Sequence, residues 1–214
     1  MSAKLSILII EDEKNICDFI AAALMNQDYR VFKSYSGTDG LSQITSRCPD
    51  ILLLDLGLPD MDGTDIIREV RKWSAMPVIV ISARTLENEK VLALDLGADD
   101  YITKPFGTSE LLARIRTAVR HLTRINATNS TSHIFRANGL VIDFDRRRIT
   151  VHEQEVHLTQ VEYKIVSMLA NNSGKVITYD ALISHVWGPY ADDNNRILRV
   201  NMANIRRKLE RNPA

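Results

Sequence analysis

Five polar side chains in this sequence stand where short strand-like runs end. Glu11 and Asp12 follow residues 5–10, Asp55 follows 51–54, Ser82 follows 77–81, and Lys104 follows 100–103. Carboxylates gathered in one pocket repel each other. A divalent cation relieves that repulsion, and Mg²⁺ favours carboxylates supplemented by water. A carboxylate beside Mg²⁺ can attack a phosphoryl group and become an aspartyl phosphate. The metal and an ammonium then neutralise the transferred oxygens, and a hydroxyl can donate to one of them. One such residue alone says little. Carboxylates, a hydroxyl and an ammonium at successive strand ends point to phosphoryl chemistry.

Those side chains need a scaffold that brings strand ends together. Strand character at 5–10, 30–34, 51–54, 77–81 and 100–103 alternates with helical patterns at 15–25, 38–45, 65–72, 87–94 and 109–120. Nearly continuous apolar strands between amphipathic helices predict a doubly wound α/β domain, with a five-stranded parallel sheet covered on both faces. In such sheets ligands bind beyond the carboxyl ends of the strands.

The bulk properties agree with this. The 214 residues suit one large domain or two ordinary ones. With 45% hydrophobic and 25% charged residues, the chain reads as soluble and globular, not disordered or collagenous. No apolar run approaches the roughly 20 residues that span a bilayer. Residues 7–10 lie too close to the acidic cluster for a signal-peptide core, so the expected location is the cytoplasm. Cys17 and Cys48 have no close spacing and no neighbouring histidines, which suits ordinary thiols better than a disulfide or zinc site. Asp60-Met61-Asp62-Gly63-Thr64 spells the nucleophile motif of haloacid-dehalogenase-type phosphatases. Those enzymes place the first Asp directly at a strand end. Here Gly57-Leu58-Pro59 intervenes after Asp55, which argues against a hydrolase.

Ile7-Leu8-Ile9-Ile10-Glu11-Asp12-Glu13, Leu54-Asp55-Leu56-Gly57-Leu58-Pro59, Ile81-Ser82-Ala83 and Lys104-Pro105-Phe106 resemble the motifs of response-regulator receiver domains. The resemblance covers residues 5 to about 121. It implies Asp55 as phosphoacceptor and Asp12 as a direct Mg²⁺ ligand. Glu11 would bind through water, and the Gly57 carbonyl would be a further ligand. Lys104 would pair with the phosphoryl group, Ser82 and Tyr101 would form a switch pair, and Pro105 would follow a cis peptide. A plain core aromatic is the lesser reading of Tyr101. Such a protein is no enzyme beyond its own phosphorylation and dephosphorylation.

The zero net charge hides an asymmetry. Residues 1–122 carry 14 Lys/Arg against 18 Asp/Glu, and residues 123–214 carry 13 against 9. An acidic half joined to a basic half suggests modules with different partners. Residues 1–121 form the first domain, 122–133 a polar flexible linker, and 134–214 the second domain. The second half has strand character at 140–143, 149–152 and 156–158. Thr159-Gln160-Val161-Glu162 is a capping box opening a helix to about Ala170, and further helices are expected at 179–186 and 194–211. On the last, Leu198, Met202, Ile205 and Leu209 form a core stripe. Arg196, Arg199, Val200, Ala203, Asn204, Arg206 and Arg207 lie largely away from it. Small residues between arginines let a helix approach a DNA groove while guanidiniums reach phosphates or bases. Arg199 and Asn204 are expected at bases, Arg206 and Arg207 at phosphates, although Asn204 equally suits plain solvation.

Val156-His157-Leu158-Thr159 with Glu162, Val186-Trp187-Gly188, and Ile205-Arg206-Arg207-Lys208-Leu209-Glu210 resemble the effector domain of the OmpR/PhoB family, a winged helix-turn-helix. Asp55-Leu56-Gly57-Leu58-Pro59-Asp60, Arg71-Lys72-Trp73-Ser74-Ala75, Pro77-Val78-Ile79-Val80 and His185-Val186-Trp187-Gly188-Pro189 resemble its subfamily of potassium-transport regulators. The family resemblance implies a sensor histidine kinase, double-stranded DNA and RNA polymerase as partners. It also implies a homodimer formed on phosphorylation through a face bearing Lys90, Val91, Leu94, Asp95, Asp100, Glu110, Ala113, Arg114 and Arg116. Across that dimer Lys90 would meet Glu110, Asp100 would meet Arg114, and Asp95 would meet Arg116. The family normally continues past this sequence's last helix with a β-hairpin wing, and without one the expectation is weak DNA binding or none. A receiver acting as a phosphorelay or protein-binding module is the alternative.

Overall fold

The computed structural model describes residues 4–127, 134–188 and 196–210, with side chains omitted over 121–127. Lys4–Leu122 forms one compact unit, and the described chain beyond it belongs to a second.

The first unit alternates strand and helix throughout: β1 Ser6–Ile10, α1 Lys14–Met25, β2 Arg30–Ser34, α2 Gly37–Arg47, β3 Ile51–Leu54, α3 Gly63–Arg71, β4 Val78–Ser82, α4 Glu87–Asp95, β5 Asp100–Thr103 and α5 Thr108–Ala127. The strands are all parallel, in the order β2-β1-β3-β4-β5. Every residue of β1, β3 and β4 is buried, which is why these runs carry no polar alternation. Successive side chains point to opposite faces. Ile7, Ile9, Leu53, Ile79 and Ile81 therefore pack with Ile20 and Leu24 of α1 and Leu111 and Ile115 of α5. Leu8, Ile10, Leu52, Leu54 and Val80 pack with Ile66, Ile67 and Val70 of α3 and Ala93 of α4. Cys17 and Cys48 are buried and form no disulfide; Cys17 packs in the first of these clusters, and the Cys48 thiol bonds the Thr45 carbonyl. The chain winds both ways from β1, so the carboxyl ends of β1 and β3 lie side by side at the topological switch point.

The loop after β3 is tied to the helices around it. Asp60 accepts from the Gly37 and Thr38 amides at 2.7 and 2.8 Å and from the Thr38 hydroxyl at 2.7 Å, so its carboxylate sits on the amino end of α2. Those bonds hold its carboxyl down at about 2. Asp62 caps α3 through the Thr64 amide at 2.9 Å. Both acids of the phosphatase-like motif therefore serve as helix caps. Gly63 comes next, and a β-carbon there would lie 2.4 Å from the Asp55 carbonyl oxygen.

α5 continues through residues expected to be linker. Nothing between Thr108 and Ala127 is Gly or Pro, so no residue stops the helix at 121. Of the expected linker, residues 128–133 lie outside the described residues.

The second unit begins with an antiparallel sheet, β6 Ile134–Ala137, β7 Leu140–Asp143, β8 Arg148–Val151 and β9 Gln154–Glu155, in that order. β6 was not expected. β9 precedes the strand expected at 156–158, because His152 and Glu153 make a turn with φ of 48° and 70° that sets Gln154 opposite Val151. Three helices follow: α6 Gln160–Asn171, α7 Tyr179–Trp187 and α8 Arg196–Leu209. The capping box is present on both sides, with Thr159 Oγ1 accepting from the Glu162 amide and the Glu162 carboxylate accepting from the Thr159 amide.

Gly63→Ala tests how tightly α3 abuts the backbone at Asp55. Overpacking against backbone should cost about 1–3 kcal/mol. The expected result is a lower urea midpoint at unchanged slope, and an unchanged midpoint would show that the loop yields freely.

Candidate functional site

β1 delivers Glu11 and Asp12 to the carboxyl edge of the sheet, and β3 delivers Asp55. The Glu11 amide donates to Ser34 O at 3.0 Å and the Asp55 amide to Ile10 O at 2.9 Å, so the sheet's own hydrogen bonds fix both backbones. Glu11 is 1% exposed and Asp55 7%, while Asp12 is open to solvent. One carboxylate oxygen from each of the three lies within 4.8 Å of the others. Lys104, carried in by β5, places Nζ 2.6 Å from Asp55 Oδ2 and 2.9 Å from Glu11 Oε1. Glu11 Oε2 is 2.7 Å from the same ammonium but outside hydrogen-bond geometry, which leaves a buried oxygen without a directed partner. The Lys104–Pro105 peptide is cis.

Burial pushes the Glu11 carboxyl up to about 7, against the pull of Lys104. Burial alone would lower Lys104, but its bonds to Asp55 and Glu11 outweigh that and raise it. One ammonium thus serves two buried carboxylates, and a divalent cation among them would supply the missing positive charge. The donor set is all oxygen, which suits a hard cation. The Gly57 amide donates to Asp55 Oδ1 at 3.0 Å, so Gly57 sits beside the cluster.

Ser82 is 1% exposed at the end of β4. Its hydroxyl accepts from the Arg84 amide at 3.3 Å. Tyr101 is half-buried, and its hydroxyl donates to Arg84 O at 2.9 Å. Burial raises its pKa. Lys90 Nζ stands 5.9 Å from the centroid of the Tyr101 ring.

On the face proposed for dimerisation, Val91, Leu94, Asp95, Ala113 and Arg116 are exposed. Arg114 is engaged within its own chain, 2.8 Å from Asp100 and 2.9 Å from Glu110. The Asp100–Arg114 pair therefore exists in a single chain.

α8 buries Leu198 and Ile205, with Met202 and Leu209 half-buried, as the stripe predicted. Arg196, Arg199, Val200, Ala203, Arg206 and Arg207 are exposed, and Asn204 is half-buried. Arg206 pairs with Glu210 on its own helix at 3.0 Å. Residues 194, 195 and 211 of the expected helix lie outside the described residues. Sequence reasoning missed the role of Lys208, whose Nζ lies 2.6 Å from the Glu162 carboxylate. Glu162 is 2% exposed; burial would raise it, but Lys208 and the Thr159 amide together hold it low. One cation of the basic run thus turns inward and ties α8 to α6. No local signal in the sequence marked this pair, whose members lie 46 positions apart.

Two family patterns match the chain: the response regulator receiver domain over residues 7–116, and the transcriptional regulatory protein C-terminal domain over residues 153–214. The KDP operon transcriptional regulatory protein KdpE of Escherichia coli K12 is 46% identical over 209 residues, 98% of this chain and 92% of the relative. KdpE of Mycobacterium tuberculosis is 41% identical, over 97% of this chain and 91% of the relative. Among solved structures, the response regulator DrrB, an OmpR/PhoB homologue from Thermotoga maritima, is similar at TM-score 0.51 and 28% identity. That alignment covers 98% of this chain and 91% of DrrB.

The Glu11 carboxyl yields a pH test. An acid raised from 4.5 to about 7 keeps its proton in the folded chain after the unfolded chain has lost it. Stability of the metal-free protein should therefore fall as pH rises through that window. Glu11→Gln removes the slope. The variant should gain on the parent between about pH 5 and about pH 7.5 in urea titrations, and equal gaps at both pH values would count against a buried, protonated Glu11.

Proposed function

This chain belongs to the response regulators that join a receiver domain to an OmpR/PhoB-type effector domain, a DNA-binding transcriptional class, and from that membership we propose that Asp55 is its phosphoacceptor. The reading rests on one observation above all. The Lys104 ammonium lies 2.6 Å from Asp55 in a pocket where the Glu11, Asp12 and Asp55 carboxylates converge. A sensor histidine kinase presents phosphohistidine. An Asp55 carboxylate oxygen attacks phosphorus, the P–N bond breaks, and the imidazole leaves with the electron pair and takes up a proton. Mg²⁺ held by Asp12, Asp55, the Gly57 carbonyl and, through water, Glu11 would neutralise charge on the transferred oxygens. Lys104 would exchange its bond to Asp55 for one to a phosphoryl oxygen, and Ser82 would donate its hydroxyl proton to another.

Phosphorylation then favours a two-fold dimer through α4, β5 and α5. Exposed ion pairs contribute about 0–1 kcal/mol each, and Arg114 already holds its partners in its own chain. Exchange of such pairs between chains sets register, and burial of Val91, Leu94 and Ala113 supplies affinity. In each effector domain α8 enters the major groove, with Arg199 and Asn204 toward bases, Val200 and Ala203 permitting close approach, and Arg196, Arg206 and Arg207 toward phosphates. RNA polymerase is the downstream partner. The KdpE relatives suggest potassium-transport genes as targets. Among the described residues no helix is long and apolar enough to cross a membrane, and we place the protein in the cytoplasm with its DNA.

With Mg²⁺ and acetyl phosphate, intact mass should rise by one phosphoryl group and Asp55→Asn should abolish the rise. Stoichiometric labelling of that variant would overturn the assignment. For DNA, Arg207→Ala should reduce the log–log salt slope by roughly one on any sequence. Arg199→Ala should instead cost about 1–3 kcal/mol on the operator alone. If Arg199→Ala and Asn204→Ala leave both affinity and preference unchanged, α8 is not the reader.

A further inference from the structure

The loop between β4 and α4 is held by one residue. Ala83, Thr85 and Leu86 are exposed, whereas Arg84 is partly buried and reaches back across the carboxyl edge of the sheet. Its Nη2 lies 2.7 Å from Asp62 Oδ2, the cap of α3, and 3.2 Å from the carbonyl oxygen of Leu56, the residue after Asp55. Its Nε is 4.0 Å from Glu89 on α4. The backbone of the same residue joins both members of the expected switch pair. Its amide donates to Ser82 Oγ at 3.3 Å, and its carbonyl accepts from Tyr101 at 2.9 Å.

We propose that Arg84 is a positioning residue whose guanidinium pins the β4–α4 loop to the β3–α3 loop, so that a displacement of Ser82 is delivered to Tyr101 and α4. The inference rests on the phosphoacceptor reading above, because Ser82 moves when a phosphoryl group on Asp55 claims its hydroxyl. The Arg84 amide then loses its acceptor and its backbone must follow or go unpaired. With the side chain anchored beside Asp55, the loop pivots about that anchor. Ser82 also acts on the Tyr101 side chain directly; without the anchor, the loop can shift in many directions and the share of the displacement carried through Arg84 to Tyr101 and α4 is lost. α4 is suited to respond, because Ala93 is its single buried side chain.

Three variants separate this role from simple stabilisation. Arg84→Ala removes the anchor. Arg84→Lys keeps the charge but not the planar group whose Nη2 bonds Asp62 and Leu56 O while Nε faces Glu89. Asp62→Asn keeps the α3 cap, since Asn caps as well as Asp, but removes the charge that holds the guanidinium. Each is labelled with acetyl phosphate and Mg²⁺, followed by intact mass, and amide hydrogen exchange over residues 87–95 is compared before and after labelling. All three should take up phosphate within about twofold of the parent's rate, because the Arg84 guanidinium bonds Asp62 and Leu56 O and neither Asp55 nor Ser82. In the parent, labelling should change exchange in α4. In Arg84→Ala that change should shrink about tenfold, and in Arg84→Lys and Asp62→Asn by less. The double variant should be no worse than Arg84→Ala, because both substitutions break one contact. An Arg84→Ala protein whose α4 responds like the parent's overturns the proposal, as does strict additivity with Asp62→Asn. If Arg84→Ala fails to fold, Asp62→Asn decides alone, and a parent-like α4 response there overturns it. A parent that does not label, or that labels elsewhere than Asp55, defeats the phosphoacceptor reading instead. A parent that labels without dimerising defeats only the dimer.

Discussion

Two carboxylates and one ammonium share a nearly dry pocket, and the receiver fold can be read as the means of holding them there. Left alone, Glu11 and Asp55 would repel each other. Lys104 balances one negative charge, and burial drives Glu11 toward its neutral form. Such a pocket would be completed by a divalent cation bound to its oxygens. Its geometry comes from strand ends fixed by sheet hydrogen bonds, not from flexible loops. That rigidity requires β1, β3 and β4 to be buried on both faces, and hence a helical layer on each side.

The parallel sheet was legible in the sequence because buried strands leave unbroken aliphatic runs such as Ile51–Leu54. The site was legible because its polar residues follow those runs directly. Signals that compete locally were harder to read. β6 is short and largely exposed, so its alternation is faint. Its true marker was the following Asn138-Gly139, whose positive φ values turn the chain into a hairpin. The length of α5 was underestimated because a polar composition after residue 122 was read as linker, although none of those residues breaks a helix. Contacts between residues distant in sequence were invisible. Nothing local marks Lys208 as the partner of Glu162, or Arg84 as the partner of Asp62.

The caps in the β3–α3 loop show how one short segment serves several elements. Asp60 holds the amino end of α2, Asp62 that of α3, and Gly63 lets α3 press against the Asp55 backbone. A motif that spells a phosphatase nucleophile is here an arrangement of helix ends. The chemistry of a short string of residues depends on where its first residue stands relative to the strand, and the five residues between Leu54 and Asp60 are enough to change it.

α4 differs from its neighbours in having no apolar stripe. Ala93 alone is buried, Glu89, Lys90 and Leu96 are half-buried, and Val91, Leu92 and Leu94 are distributed around the exposed circumference. An ordinary surface helix resists turning about its axis, because a turn would exchange apolar for polar burial. Rolling α4 would exchange the small Ala93 for Val91, Leu92 or Leu94, so no polar side chain need be buried and the roll angle is left largely to the chain at its two ends. Evolution can therefore re-aim this helix by altering its flanking loops and recolour its outer residues at little cost to folding, which lets duplicated copies of such a protein drift apart in whom they recognise.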